Sequence, residues 1–405
     1  MLVKAGYQGP IYTHRASRDL CKIMLKDSGF LSAKDAVWEN RKRARKGLKP
    51  IEPHSTVEDA RIAMKSFKGL VYDKKQRILP GVHLRLSDAG HILGSSIVEL
   101  WLEDAGESRK LVFSGDLGYS GMPVLRDPAQ IKHADLVIME STYGDRLHRS
   151  WDDTHSEMHQ VLTQATNGKG NILMPAFAVG RTQEILYMFA KYFKEWELDR
   201  WQIFLDSPLA IEATNVFTQH SDLFDADTAA LWKKHKKIDL LPNLHISRTT
   251  NQSMAINRIR SGAIIIAGSG MCTGGRIKQH LKHNIWRNEC QIVMTGFQAR
   301  GTTGRALVDG AKNIRLWGER IRVAAAVHTI GGLSAHADQA ALKNWYSNFA
   351  GRPPVVLVHG EEQAAAGLSD CLRQKLSAPV CVAGMAEVLD LSKPGKFTLA
   401  GKVIK

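Results

Sequence analysis

Short apolar runs closed by glycine-rich turns set the rhythm of this chain. Val355–Val358 is an unbroken apolar run of four, the pattern of a strand buried on both faces. The same pattern places strands at 111–113, 135–139, 171–174, Gln202–Leu205, Ala263–Ala267 and Gln291–Met294. Two more strands within 82–102 flank the turn D-A-G-H-I-L-G-S-S at 88–96. Helical spacing predicts helices over 13–26 and 33–47, another after the capping signal at 55–58, one running to about residue 193, and one over 361–376. Strands alternating with helices after Trp151 predict an α/β unit with a largely parallel sheet and its own core. The turn G-P-I-Y at 9–12 feeds a first strand that has nothing before it to pair with. A short strand-rich tail closes the chain.

Composition narrows the class. The 405 residues suffice for two or three domains, and 44% hydrophobic content allows a full core. No apolar run approaches the roughly 18–20 residues that span a bilayer, and the first residues carry no signal-peptide pattern. A membrane partner is therefore not expected. Five scattered cysteines without a C-x-x-C pair argue for a reducing, cytoplasmic setting and against a thiolate zinc site. The net charge of +15 and the pI near 9.6 suit a polyanionic partner, nucleic acid above all. The run R-K-R-A-R-K at 41–46 is either a solvated helix face or a phosphate-tracking patch.

Candidate chemistry sits where strands stop. Asp116 follows 111–113, Glu140 follows 135–139, and His359 follows Val355–Val358. Residues in these positions project into the rim beyond a parallel sheet's carboxyl ends, where such proteins hold ligands. His91 lies in the 88–96 turn, and His336 in a small-residue turn after an apolar segment. Histidine plus carboxylate without cysteine suits Zn²⁺ or Mn²⁺. Loops after the later strands carry Arg181, Arg276, Arg300 and Arg305 among glycines, a composition suited to phosphate contact. No loop has the G-x-x-x-x-G-K-[ST] pattern, so a nucleotide cofactor is not expected.

Read together and in order, five stretches resemble the motifs of the β-CASP group of metallo-β-lactamase-fold nucleases. They are D-A-G-H-I-L-G-S at 88–95, F-S-G-D-L-G at 113–118, E-S-T-Y-G at 140–144, S-A-H-A-D at 334–338 and V-H-G-E at 358–361. The likeness extends over essentially the whole chain and is nearest to bacterial relatives of the endonuclease of messenger-RNA 3′-end processing. It implies an α/β fold: a metallo-β-lactamase-type αββα sandwich, here without its first strands, interrupted by a β-CASP α/β domain. The segments would be 1–149 and 321–405 for the sandwich and 150–320 for the insert. The resemblance implies hydrolysis of RNA phosphodiester bonds, with single-stranded RNA as substrate and two Zn²⁺ ions, or Mn²⁺, as cofactor. It makes His91, Asp116 and His359 metal ligands, with Asp116 bridging and catalytic. It makes His336 the acid or phosphate clamp, Glu140 its orienting partner and Ser334 a phosphate contact. A homodimer is compatible with it.

One departure qualifies this picture. The family's H-x-H-x-D-H motif, source of most ligands of both metals, occurs nowhere in the 405 residues. The sequence is therefore expected to be an N-terminally truncated frame, inactive or poorly stable as it stands, with sheet edge and apolar surface uncovered. Two further classes stay open: a non-catalytic RNA-binding β-CASP protein, and a small-ester hydrolase of the same fold. Neither the inserted unit nor the charge favours the latter.

Overall fold

A computed structural model describes residues 1–104, 106–234, 241–391, 397–399 and 402–403. Two large sheets organise the molecule. The first has seven strands in the order Val380–Val382, Val355–Val358, Leu136–Glu140, Glu107–Phe113, Ser96–Asp104, Val82–Asp88 and Gln76–Leu79. The first four are parallel and the remainder antiparallel. The second has six strands, all parallel, in the order Leu244–Ile246, Gln202–Leu205, Ala263–Ala267, Ile172–Pro175, Gln291–Met294 and Ala326–Thr329.

Strand character follows the sequence pattern. Every residue of Ile172–Pro175, Ala263–Ala267 and Gln291–Met294 is buried, because helices cover both faces of this parallel sheet. One face packs on a core that includes Ile185, Phe189, Ile211 and Phe217; the other packs on Ile277, Leu281 and Ile285. In the seven-stranded sheet, Val112, Val137, Met139 and Leu357 pack against Leu342, Tyr346, Leu368 and Leu372 of the helices Gln339–Ser347 and Glu362–Leu376. On the opposite face Leu111, Leu136 and Val356 meet Phe397 and Leu399 of the tail, while Leu100, Leu102, Phe113 and Ile138 are only partly buried.

The first helix differs from expectation. Residues predicted as two helices form one, Arg15–Ala44, running through Gly29. A Cβ at Gly29 would lie 2.4 Å from the Thr56 carbonyl oxygen and 2.8 Å from the Val57 nitrogen. Glycine here marks a close backbone approach rather than a helix end. A capping box does open the next helix, but one residue later than the 55–58 signal: the Thr56 hydroxyl, not that of Ser55, accepts from the Asp59 N–H, and Asp59, not Glu58, reaches back to the Thr56 N–H. The helix that follows is only Val57–Ala63. The early strand Ile11–His14 also differs, since its partner comes from later in the chain, Phe67–Leu70, in parallel register.

The long helix joins the two sheets. Its Ala16 and Leu20, together with Leu93 from the 88–96 turn, are part of the core of the six-stranded unit. His220 lies 2.7 Å from Asp19, and Arg15 pairs with Asp222.

Gly29→Val should therefore lower stability by about 1–3 kcal/mol, the usual cost of overpacking. A thermal melt of the variant should show an earlier transition; an unchanged melt would contradict this packing.

Candidate functional site

Pairing register brings three strand ends together. Val358 pairs with Glu140, and Phe113 pairs with Ile138 on the next strand. Asp116, Glu140 and His359 thus emerge side by side at the carboxyl rim of three adjacent parallel strands. The hairpin Val82–Asp88 and Ser96–Asp104 turns at the same rim and delivers His91. Gly90 and Gly94 in that turn have positive φ, and a Cβ on Gly94 would sit 2.6 Å from the Ser17 nitrogen. Gly94 lets the turn lie against the start of the long helix, and Gly90 lets it pack on the backbone at Arg126 and Pro128.

Asp116 stands between two histidines. One carboxylate oxygen is 3.3 Å from His359 Nδ1, and the other is 4.0 Å from His91 Nε2. His359 adopts φ +50, a conformation uncommon for a non-glycine residue and typical of functional positions. Its Nδ1 also lies 3.2 Å from the Thr142 hydroxyl. His91 is nearly buried and its ring lies 4.3 Å from that of His336. Burial, reinforced by the charge on His336, lowers the His91 pKa to about 4 against the pull of Asp116 and Glu140.

Glu140 is 1% exposed, and its carboxylate is fully engaged. It accepts from the Leu117 N–H, from the Thr142 hydroxyl, and from His336 Nδ1 at 3.0 Å. Burial raises its pKa, but the bond and charge of His336 and the other two donors outweigh that and hold it below the ordinary value. His336 is driven the other way. Burial lowers its pKa, yet the Glu140 bond and charge, with Asp116, raise it overall. The pair favours a protonated imidazole whose Nδ1–H points at Glu140. His148 Nε2 lies 2.9 Å from the His336 carbonyl oxygen and steadies its backbone. Asp338 caps the following helix and accepts from the His148 N–H.

One donor atom each from Asp116, Glu140, His336 and His359 fall within 4.8 Å of one another. Nitrogen and oxygen donors so close, without sulfur, fit a hard-to-borderline divalent cation. Glu140 already serves three hydrogen-bond donors, which leaves its carboxylate less available to an ion. Asp116 and His359, with His91 across the Asp116 carboxylate, are better disposed as ligands. Thr142, which links Glu140 to His359, and His148 were not picked out from sequence. Their only signal was position: Thr142 lies inside E-S-T-Y-G, and His148 follows that stretch closely.

A cleft of about 760 Å³ opens from His91 and His336 toward the six-stranded unit. Its far wall consists of loops after that sheet's strands, with Phe177, Met271 and Phe297 exposed to it. Ser334, Arg181 and Arg276 line it; Arg300 and Arg305 do not. Arg181 is buried, ion-paired with Glu184, and its Nε has no hydrogen-bond partner among the described residues. Arg276 is committed to the scaffold: one nitrogen donates to Asp206 at 2.6 Å and to the Ser247 carbonyl, another to the Arg248 carbonyl. Asp206 also accepts from Ser253 and faces His280 Nε2 at 2.7 Å. Arg305 pairs with Asp309 on its own helix, and Arg300 is exposed.

Comparison with known proteins bears on this site. Residues 182–307 match the Beta-Casp domain, and residues 320–383 match the Zn-dependent metallo-hydrolase RNA specificity domain. Ribonuclease TTHA0252 of Thermus thermophilus is 36% identical over 371 residues, covering 92% of this chain and 80% of that protein. Transcription termination factor FttA of Pyrococcus abyssi is 30% identical over 380 residues, covering 91% of this chain and 56% of that protein. The corresponding factor of Methanocaldococcus jannaschii is 27% identical over 394 residues, 92% and 58% of the two chains. The chain thus spans somewhat over half the length of these archaeal factors.

Asp206→Ala would strand His280 and Arg276 without their buried partner. The loss should be about 3–5 kcal/mol, as for other broken buried pairs. Chemical denaturation would measure it, and a change under 1 kcal/mol would count against the network as a scaffold.

Proposed function

Since the chain belongs to the β-CASP metallo-β-lactamase-fold RNA nuclease family, we propose that its rim site hydrolyses phosphodiester bonds of single-stranded RNA with Zn²⁺ or Mn²⁺. The observation that carries this reading is the arrangement of Asp116, with one carboxylate oxygen toward His359 and the other toward His91. We take these three as metal ligands. A divalent ion held there supplies a lowered pKa for a nearby water and charge stabilisation for a phosphate.

The remaining roles belong to protein groups. His336, kept protonated by Glu140, is placed to give a proton to the leaving oxygen. Ser334 and the buried guanidinium of Arg181 line the route by which a phosphate reaches His336. Phe177 and Phe297 offer flat apolar contact to bases in the same cleft. The division into 1–149, 150–320 and 321–405 follows from the same reading. The strand Ala326–Thr329 still completes the six-stranded sheet, and the chain returns to the rim after it.

Three ligands suit one ion better than two. We therefore expect the 405-residue chain to hold metal weakly and to cleave RNA poorly. Joined upstream to a family segment bearing H-x-H-x-D-H, it should cleave efficiently.

Metal uptake and cleavage separate the roles. In the 405-residue chain, Asp116→Ala and His359→Ala should each abolish the zinc uptake seen by calorimetry, whereas His336→Ala should leave it intact. In the joined form, His336→Ala should lower RNA cleavage about 10²–10⁴-fold with bound metal unchanged. Zinc uptake indifferent to Asp116, or wild-type cleavage by His336→Ala, would refute these assignments. RNA binding without any cleavage by the joined form would favour a non-catalytic RNA-binding protein.

A further inference from the structure

Away from the cleft, an antiparallel ribbon of two strands, Asn313–Leu316 and Glu319–Arg322, carries an unusual surface. Its inner residues Ile314, Leu316 and Ile321 pack into the core below the six-stranded sheet. Its outer face presents Arg315, Arg320 and Arg322, all exposed. Arg315 and Arg320 are direct cross-strand partners. Like charges placed opposite one another destabilise a ladder. None of these three arginines has a carboxylate partner among the described residues, although the ribbon's own Glu319 is close by and pairs with Lys282 instead.

The tip of the ribbon is a second oddity. Trp317 and Gly318 form the two-residue turn, both with positive φ. Such a turn ordinarily takes asparagine or aspartate first. Here a tryptophan is held in the left-handed region, strained for a bulky side chain and still more than half exposed. Lys278 Nζ sits 4.8 Å from its ring centroid. Lys278 and Lys282 lie one turn apart on the helix Ile277–Asn284, and Trp286, also half exposed, continues their row. Unpaired arginines, lysines and outward-facing indoles on one surface match what single-stranded nucleic acid needs: cations for the backbone and flat faces for the bases.

The ribbon is not an extension of the cleft. The cleft is walled by loops at the carboxyl ends of the sheet's strands. The ribbon leads into the amino end of Ala326–Thr329, and Ala324 and Ala325 donate to the carbonyl of Ile285, which precedes Gln291–Met294. It thus lies at the opposite rim.

We propose that this ribbon is a second RNA-binding site. Arg315, Arg320 and Arg322 grip successive phosphates of a single strand, and Trp317 stacks on a base. The inference rests on the reading that RNA is the substrate, and adds to it an anchoring point distant from the bond that is cut.

The test separates folding, anchoring and cleavage. Binding of a labelled unstructured RNA oligonucleotide by the full chain is followed by anisotropy in EDTA across a salt series. Arg315→Glu places a carboxylate opposite Arg320, so it should raise or preserve the melting temperature while weakening RNA binding. Arg315→Glu with Arg320→Glu should weaken binding about tenfold or more at low salt. It should also flatten the log–log salt slope by about 1–2, the share of two phosphate contacts. Trp317→Ala should weaken binding roughly fivefold or more, and Trp317→Phe should restore most of it. EDTA keeps cleavage out of this readout, so the variants report anchoring alone. Unchanged affinity and slope in the ribbon variants would overturn the second site and leave the RNA reading standing; the ribbon would then suit an acidic protein. No RNA binding by the unmodified chain would overturn both.

Discussion

The buried carboxylate of Glu140 receives hydrogen bonds from the Leu117 N–H, the Thr142 hydroxyl and the His336 ring. These donors come from three separate stretches of chain. A buried carboxylate without such partners would be costly, so the segments must arrive together for any of them to be stable there. Leu117 fixes the loop that presents Asp116. Thr142 reaches the ring and carbonyl of His359. His336 is aimed by the bond itself. One ionised group at the centre of the rim therefore sets the positions of side chains from both ends of the sequence.

The two sheets share a design. Each presents the carboxyl ends of parallel strands to the cleft, and each has its polar residues just beyond those ends. That rule explains why so much of the site was legible. His91, Asp116, Glu140 and His359 follow strands or tight turns whose apolar runs have no competing interpretation. Glycines beside them allow close backbone approach, as at Gly94 against Ser17. His336 was legible from its motif, although its bond to Glu140 spans 196 positions and has no local signature.

What was not legible depended on distant partners. The residues between the helices expected over 13–26 and 33–47 are helical too, and Gly29 among them is explained only by Thr56, packed against it. The strands Phe67–Leu70, Gln76–Leu79 and Leu244–Ile246 are short and irregular in pattern, and only pairing makes them strands. Arg276 sits in a glycine-rich loop that suggests phosphate, yet Asp206, seventy positions earlier, claims it. Arg305 has an acidic neighbour one helical turn away that composition alone did not weigh. The ribbon bearing Trp317 escaped notice because its turn breaks the usual residue preference.

The six-stranded sheet also limits how this protein can be divided. The segment matching the Beta-Casp domain, 182–307, contains four of the sheet's strands. Ile172–Pro175, which stands between Ala263–Ala267 and Gln291–Met294, lies outside it, as does the edge strand Ala326–Thr329. Ala16, Leu20 and Leu93, which complete its core, are more distant still. As a physical object the insert is a graft whose roots run into its host. Exchange of such modules between relatives would have to carry the flanking strands and keep the first helix compatible, so recombination at the boundaries of sequence similarity would split a sheet through its middle.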